Sequence, residues 1–157
     1  MTKKKPTTNT AISNRRAHYD YHLSDELQVG IALSGPATRA ARDGHVQLRG
    51  AYVSIERGEL WLHNASFSLK NQDKTSQQDN FTIDTTPKKL LAKKKEIEKL
   101  ESSKEKGMSI LPVKMLNRGR YVKLIIALGK GKKMHDKRET IKRRDQERDT
   151  HRALKNY

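Results

Sequence analysis

Val122, Leu124, Ile126 and Leu128 recur at every second position, and Ile110, Val113 and Met115 form a similar set before Asn117-Arg118-Gly119-Arg120. Period-two spacing places such residues on one face of a strand, and a short Gly-containing link between two sets makes an antiparallel hairpin. The pattern occurs again where Ala51, Val53 and Ile55 lead through Glu56-Arg57-Gly58-Glu59 into Leu60 and Leu62. Tyr19, Tyr21 and Leu23, then Leu27, Val29, Ile31 and Leu33, alternate as half-buried strands until Gly35-Pro36 stops them. The chain is therefore expected to be mainly β, antiparallel, with added helices.

The helices are shorter statements in the sequence. Pro36 to Arg42 is Ala-rich with Pro at its start, which suits a turn or two of helix closed by Asp43-Gly44. From Pro87 the period changes, because Leu90, Leu91, Ile97 and Leu100 fall on one side of a helix whose other faces carry Lys and Glu. One long amphipathic helix ending before Gly107 is expected there. Lys70 to Asp79 holds no large apolar residue and reads as a loop. Beyond Gly129 the only apolar residues are Met134, Ile141, Ala153, Leu154 and Tyr157, too few to dock a helix, so the tail is expected to be disordered when free.

With 157 residues, 33% of them hydrophobic, the chain can bury one core and leave unpacked ends. Its 34 Lys and Arg against 18 Asp and Glu give a net charge of +16, which points to a polyanionic partner. The charge is uneven. Residues 1–17 carry five basic groups and no acid, 18–69 carry four against six acids, and 128–157 carry eleven against five. That distribution describes a folded body with cationic extensions.

Other classes find little support. The absence of Cys excludes a disulfide framework and thiolate chemistry, and fits a reducing compartment. The N-terminal Met1-Thr-Lys-Lys-Lys is followed by no apolar region, so no secretory signal is expected. Leu124 to Leu128, the longest apolar run, is far below the roughly 20 residues that span a bilayer. A cytoplasmic protein with no membrane partner is expected. His18 and His22, if both lie on the expected strand, are about 13 Å apart, too far for one metal ion. Gly129-Lys130-Gly131-Lys132-Lys133 lacks the earlier Gly and the following Ser or Thr of a phosphate loop. Asn64-Ala65-Ser66 is a sequon by accident, and no Ser, His and Asp grouping is evident. No catalytic residue, metal or cofactor is expected.

A small antiparallel body with a basic rim is compatible with an oligonucleotide-binding barrel. Lys93, Lys94 and Lys95, on the expected helix, read as a solvated face. Arg15 and Arg16 flank the first strand, however, and Lys130, Lys132 and Lys133 follow the last. Clusters at the two ends of a barrel-like sheet can converge on one phosphate-rich ligand.

Asn14-Arg15-Arg16-Ala17-His18-Tyr19-Asp20-Tyr21, Gly30-Ile31-Ala32-Leu33, Lys89-Leu90-Leu91 with Glu96-Ile97, and above all Gly129-Lys130-Gly131-Lys132-Lys133-Met134-His135-Asp136-Lys137-Arg138 closely resemble the small protein B (SmpB) family. The match runs in unbroken order from about Ile12 to Asn156. The resemblance implies an RNA-binding protein that partners the tRNA-like domain of transfer-messenger RNA and delivers it to stalled ribosomes for trans-translation. It implies an oligonucleotide-binding-type barrel with helices and a basic tail, here divided as residues 1–11, 12–133 and 134–157, monomeric when free. Carried over position by position, Asn14, Arg15, Arg16 and Tyr21 belong to the RNA-holding face, with Lys130, Lys132 and Lys133 nearby. His135, Asp136, Lys137 and Arg138 fall where the family meets the decoding centre of the small-subunit ribosomal RNA. Lys142, Arg144, Arg148 and Arg152 then continue into the messenger channel.

Two carboxylates usual in that family are missing. Gln28 replaces an acid that supports RNA binding, and Gly35-Pro36-Ala37-Thr38-Arg39-Ala40 replaces Gly-Thr-Glu-Val-Lys-Ser or a close relative. Composition is equally consistent with a basic ribosomal protein or assembly factor binding ribosomal RNA, because both would be cationic and salt-sensitive.

Overall fold

The computed structural model describes residues 11–70, 81–118 and 120–155. The elements run β1 (Ala11–Ser13), α1 (Arg15–Asp20), β2 (Tyr21–Ile31), α2 (Gly35–Asp43), β3 (Val46–Gln47), β4 (Tyr52–Glu56), β5 (Glu59–His63), β6 (Ser66–Lys70) and β7 (Phe81–Asp84). They continue with β8 (Lys88–Leu91), α3 (Lys94–Ser103), β9 (Met108–Arg118), β10 (Tyr121–Gly131) and α4 (Met134–Lys155).

The main sheet has the order β1-β9-β10-β2-β8-β5-β4, and Val53 of β4 pairs back to Ile110 of β9. That last pairing closes six strands into an antiparallel barrel and leaves no open edge between them. β9 is long enough to share its outer edge, with β4 at Ile110 and β1 further along at Lys114–Leu116. A second sheet, β3-β6-β7, lies beside α2.

Both expected hairpins are present. In β10, Val122, Leu124, Ile126 and Leu128 are buried, as the alternation requires, and they meet Val29, Val53, Leu60, Leu62, Leu90, Ile110 and Met115 in one core. The β4–β5 turn places Arg57 at φ 50 and Gly58 at φ 74, the paired left-handed geometry of a tight hairpin. α2 matches its expected span: the Ser34 hydroxyl accepts from the Ala37 N–H, and Gly44 closes the helix at φ 81. Leu33 lies past the end of β2.

Two local expectations are corrected. Tyr19 lies in α1 and not in a strand with Tyr21 and Leu23, because Asn14 caps a helix at Arg15 and buries Ala17 against the body. His18 and His22 therefore share no strand face. The helix expected from Pro87 begins only at Lys94, since Lys88–Leu91 is β8. Leu90 pairs with Ile31 of β2 on one side and Leu60 of β5 on the other. These four residues fill the gap that would otherwise leave the barrel open, a tertiary demand that outweighs helical periodicity.

The polar loop expected over Lys70–Asp79 lies, after Lys70, outside the described residues, as does the N-terminal extension before Ala11. Over 134–155, where the composition leads one to expect a disordered tail, the structure has a single helix, α4. Its interior has no Gly or Pro, and Arg143–Glu147, Asp145–Arg148 and Asp149–Arg152 pair along its surface. Such exposed pairs contribute only about 0.3–0.5 kcal/mol each.

Candidate nucleic-acid interface

The register of β2 against β10 unites sequence clusters more than a hundred positions apart. Leu23 pairs with Gly129, His22 with Lys130 and Tyr21 with Gly131, so α1, which leads into β2, sits beside the segment leaving β10. A side chain at position 129 would force its neighbours aside: its Cβ would lie 2.6 Å from Leu111 Cδ1 and 3.2 Å from Tyr21 Cβ. Gly129 thus lets Tyr21 close over the strand, half-buried.

Asn14 occupies the centre of this end but has no group left for a ligand. It is 6% exposed, and its amide donates to the carbonyls of Leu48 (3.0 Å) and Pro112 (2.9 Å) while its oxygen accepts from Ala17 N–H at 3.3 Å. Its own N–H reaches the Val113 carbonyl at 2.8 Å. The docking point is a bulge, where the β9–β10 register shifts and Pro112 can be accommodated within a strand. Asn14 therefore positions the arginines that follow it.

Arg15, Lys130 and Lys133 are exposed and carry no ion-pair partner among the described residues. Arg16 is committed to Asp20, Nε to Oδ2 at 2.9 Å, and Lys132 donates from Nζ to the His18 carbonyl at 3.1 Å. Arg49, which the sequence analysis missed, joins Arg15 and Arg16 around a groove of about 340 Å³ that also touches Gln47. Nothing local marks Arg49, since only the docking of β3 beside α1 brings it there.

The acids here stay ionised. The Lys137 ammonium on its carboxylate, helped by Arg16, holds Asp20 below the usual carboxylate range against the opposing effect of burial. Asp136 is also lowered, chiefly by the Lys133 backbone N–H at 3.1 Å and then by His135 and His22. His135 sits 2.8 Å from Asp136 Oδ1 and is otherwise exposed. Arg138, Lys142, Arg144, Arg148 and Arg152 are exposed along α4. Among the described residues, the ion pairs joining α4 to the body are made at Asp136 and Lys137 alone.

Gln28 lies elsewhere. It is seven residues along β2 from Tyr21, roughly 20 Å at strand rise. There it borders a cavity of about 910 Å³ between β8 and α3, which also touches Lys89, Lys93 and Arg57. Leu91, 55% exposed, is an apolar wall of the same cavity. Ala37 is fully buried between α2 and its sheet. A carboxylate there would need an internal partner, so the change at that position alters packing and not an exposed charge.

No group of three His, Asp or Glu able to hold a metal occurs among the described residues, and no described helix is long and apolar enough to cross a membrane.

Residues 11–156 match the family model described as SmpB protein. The chain is 39% identical to the SsrA-binding protein of Ligilactobacillus salivarius, covering 100% of this chain and 99% of that one. Against the SsrA-binding protein of Trichormus variabilis it is 40% identical with both chains fully covered, and against that of Coxiella burnetii 41% identical over 98% and 96%. A solved structure described as "tmRNA-SmpB: a journey to the center of the bacterial ribosome" superposes with a TM-score of 0.62 at 31% identity, covering 79% of this chain and 85% of that one.

Proposed function

The chain belongs to the SmpB protein family, and on that premise we propose that it binds the tRNA-like domain of transfer-messenger RNA and delivers it to stalled ribosomes for trans-translation. The observation that carries this reading is the union of residues 14–22 with 130–137 at one end of the barrel. An exposed Arg15, Lys130 and Lys133 there provide phosphate contacts, and the half-exposed Tyr21 ring offers a stacking plane for an unpaired base. Asn14 supports this face from within, while Arg16 and Lys132 shape it through their internal bonds.

The tail is the ribosome-facing part. His135 and Arg138 stand at the decoding centre of the small-subunit RNA, and Lys142, Arg144, Arg148 and Arg152 run into the messenger channel as α4. Past its first turn the ion pairs of α4 among the described residues are weak surface pairs, so the free tail is largely unfolded and becomes helical where phosphates surround it. The protein acts by binding, with no catalytic group or cofactor of its own, as a monomer in the cytoplasm where ribosomes work.

Sequencing the RNA that copurifies with the tagged protein tests the reading. One abundant tRNA-like species carrying a reading frame is expected, whereas ribosomal RNA alone would assign the protein to permanent ribosomal architecture. Deleting residues 139–157 should leave affinity for transfer-messenger RNA nearly intact and abolish peptide tagging on stalled ribosomes. His135→Ala should impair tagging with little change in net charge.

A further inference from the structure

Asp20 has three acceptor positions in use, each by a different part of the junction between body and tail. Its Oδ2 takes Arg16 Nε of α1 at 2.9 Å, its backbone carbonyl takes the Lys132 N–H of the linker at 2.8 Å, and its Oδ1 takes Lys137 Nζ of α4 at 2.8 Å. Lys137 also lies 5.7 Å from the centre of the Tyr19 ring. The Lys137 side chain is 28% exposed and that of Asp20 is 20% exposed, whereas Arg143 further along α4 is 79% exposed.

We propose that Asp20 is a positioning residue for ribosome rescue, with Lys137 as its strut: the pair fixes the direction in which the tail leaves the RNA-holding face. Lys137 then serves inside the protein and does not contact ribosomal RNA. This rests on the reading of the chain as the carrier of transfer-messenger RNA. A phosphate would have to compete for Lys137 with a charge-assisted hydrogen bond and a cation–π contact that are already made. The neighbouring Arg138 carries no such commitment among the described residues and faces solvent.

The mechanical reason is the hinge. Gly129-Lys130-Gly131 ends β10, and past Lys132 the ion pairs that hold the chain to the body, among the described residues, are Asp136 opposite His22 at 3.7 Å and Lys137 on Asp20. The His22 contact is long and exposed on the His side, so the Asp20 pair is the firmer of the two. Without it α4 would pivot, and His135 and Arg138 would reach the decoding centre in many orientations while the RNA-holding face stayed intact.

The test is a double-mutant cycle of Asp20→Asn and Lys137→Met, with Lys137→Arg as a conservative rescue. Affinity for purified transfer-messenger RNA should stay within about twofold in Lys137→Met and Lys137→Arg, and because Asp20→Asn also releases Arg16, tagging by every variant is compared at saturating transfer-messenger RNA. Each single variant should slow tagging on stalled ribosomes by about tenfold, the double variant should be no slower than the worse single, and Lys137→Arg should restore most of the rate. Additive losses, or a loss from Lys137→Met that Asp20→Asn does not share, would overturn the proposal and make Lys137 a ribosomal contact. A second measurement needs no ribosome. The chain has no native Cys, so spin labels at Ser102→Cys and at the exposed Met134→Cys report the placement of the first tail turn. A narrow distance distribution that broadens in Asp20→Asn supports the strut, and one equally broad in both proteins refutes it. Failure of the unmutated protein to bind transfer-messenger RNA would refute the functional reading itself, and the label distances would still decide whether the strut exists.

Discussion

The side-chain amide of Asn14 donates to the carbonyl of Pro112, 98 positions later in the chain, at 2.9 Å. With Leu48 as its second acceptor, this one residue ties β1, the loop after β3 and the β9 bulge together at the foot of α1.

Replacing Asn14 by Ala should therefore act first on stability. Two buried carbonyls and a helix cap lose their partners, a cost of about 2–4 kcal/mol by denaturant unfolding. Loss of RNA affinity should be recovered at low temperature, where the variant stays folded. A variant as stable as the parent that still binds poorly would show that Asn14 touches RNA itself.

Gly129 and Gly131 offer a paired test of the close approach at the β2–β10 end. Gly129→Ala forces Leu111 and Tyr21 aside and should cost about 1–3 kcal/mol. Gly131→Ala meets nothing within 4 Å and should be nearly neutral in the same thermal melts.

Asp84 sets a pH dependence. The Lys88 ammonium at 2.7 Å, then the Thr86 hydroxyl and N–H, lower its pKa to about 2, below the usual 3.8. A carboxyl whose folded pKa is depressed stabilises the fold above its unfolded value, and that contribution fades as pH falls through the folded one. Asp84→Asn should thus cost about 1–2 kcal/mol at neutral pH, after allowance for solvent screening of a carboxylate 19% exposed. The difference between parent and variant should shrink between pH 4 and pH 2, and a constant difference would mean that charge is not the cause.

Salt dependence locates the RNA face. Arg15, Lys130 and Lys133 are exposed and uncommitted among the described residues, so replacing all three with Ala should reduce the slope of log affinity against log salt by about 2–3 units. Arg16 and Lys132 already bond inside the protein, and their double replacement should change the slope less. An unchanged slope in the triple variant would place the RNA on another face.

The hairpins β4–β5 and β9–β10 were legible because both signals are local: alternate residues face one way, and Gly with its neighbours permits the turn. α2 was legible for the same reason, with its Pro near one end and Gly44 at the other. The residue types of the candidate interface were visible too, as two basic clusters flanking an antiparallel body, and the family resemblance rests on those clusters. What stayed hidden depends on partners distant in the chain. Lys88–Leu91 became β8 because Ile31 and Leu60 needed a strand between them, and Tyr19 became helical because Asn14 found its acceptors at Leu48 and Pro112. Local pattern likewise groups Asn14, Arg15, Lys133 and Lys137 as one polar set. Tertiary structure divides them, since a side chain whose donors are within 3 Å of internal oxygens is a beam of the protein, and one that meets only water is available to RNA.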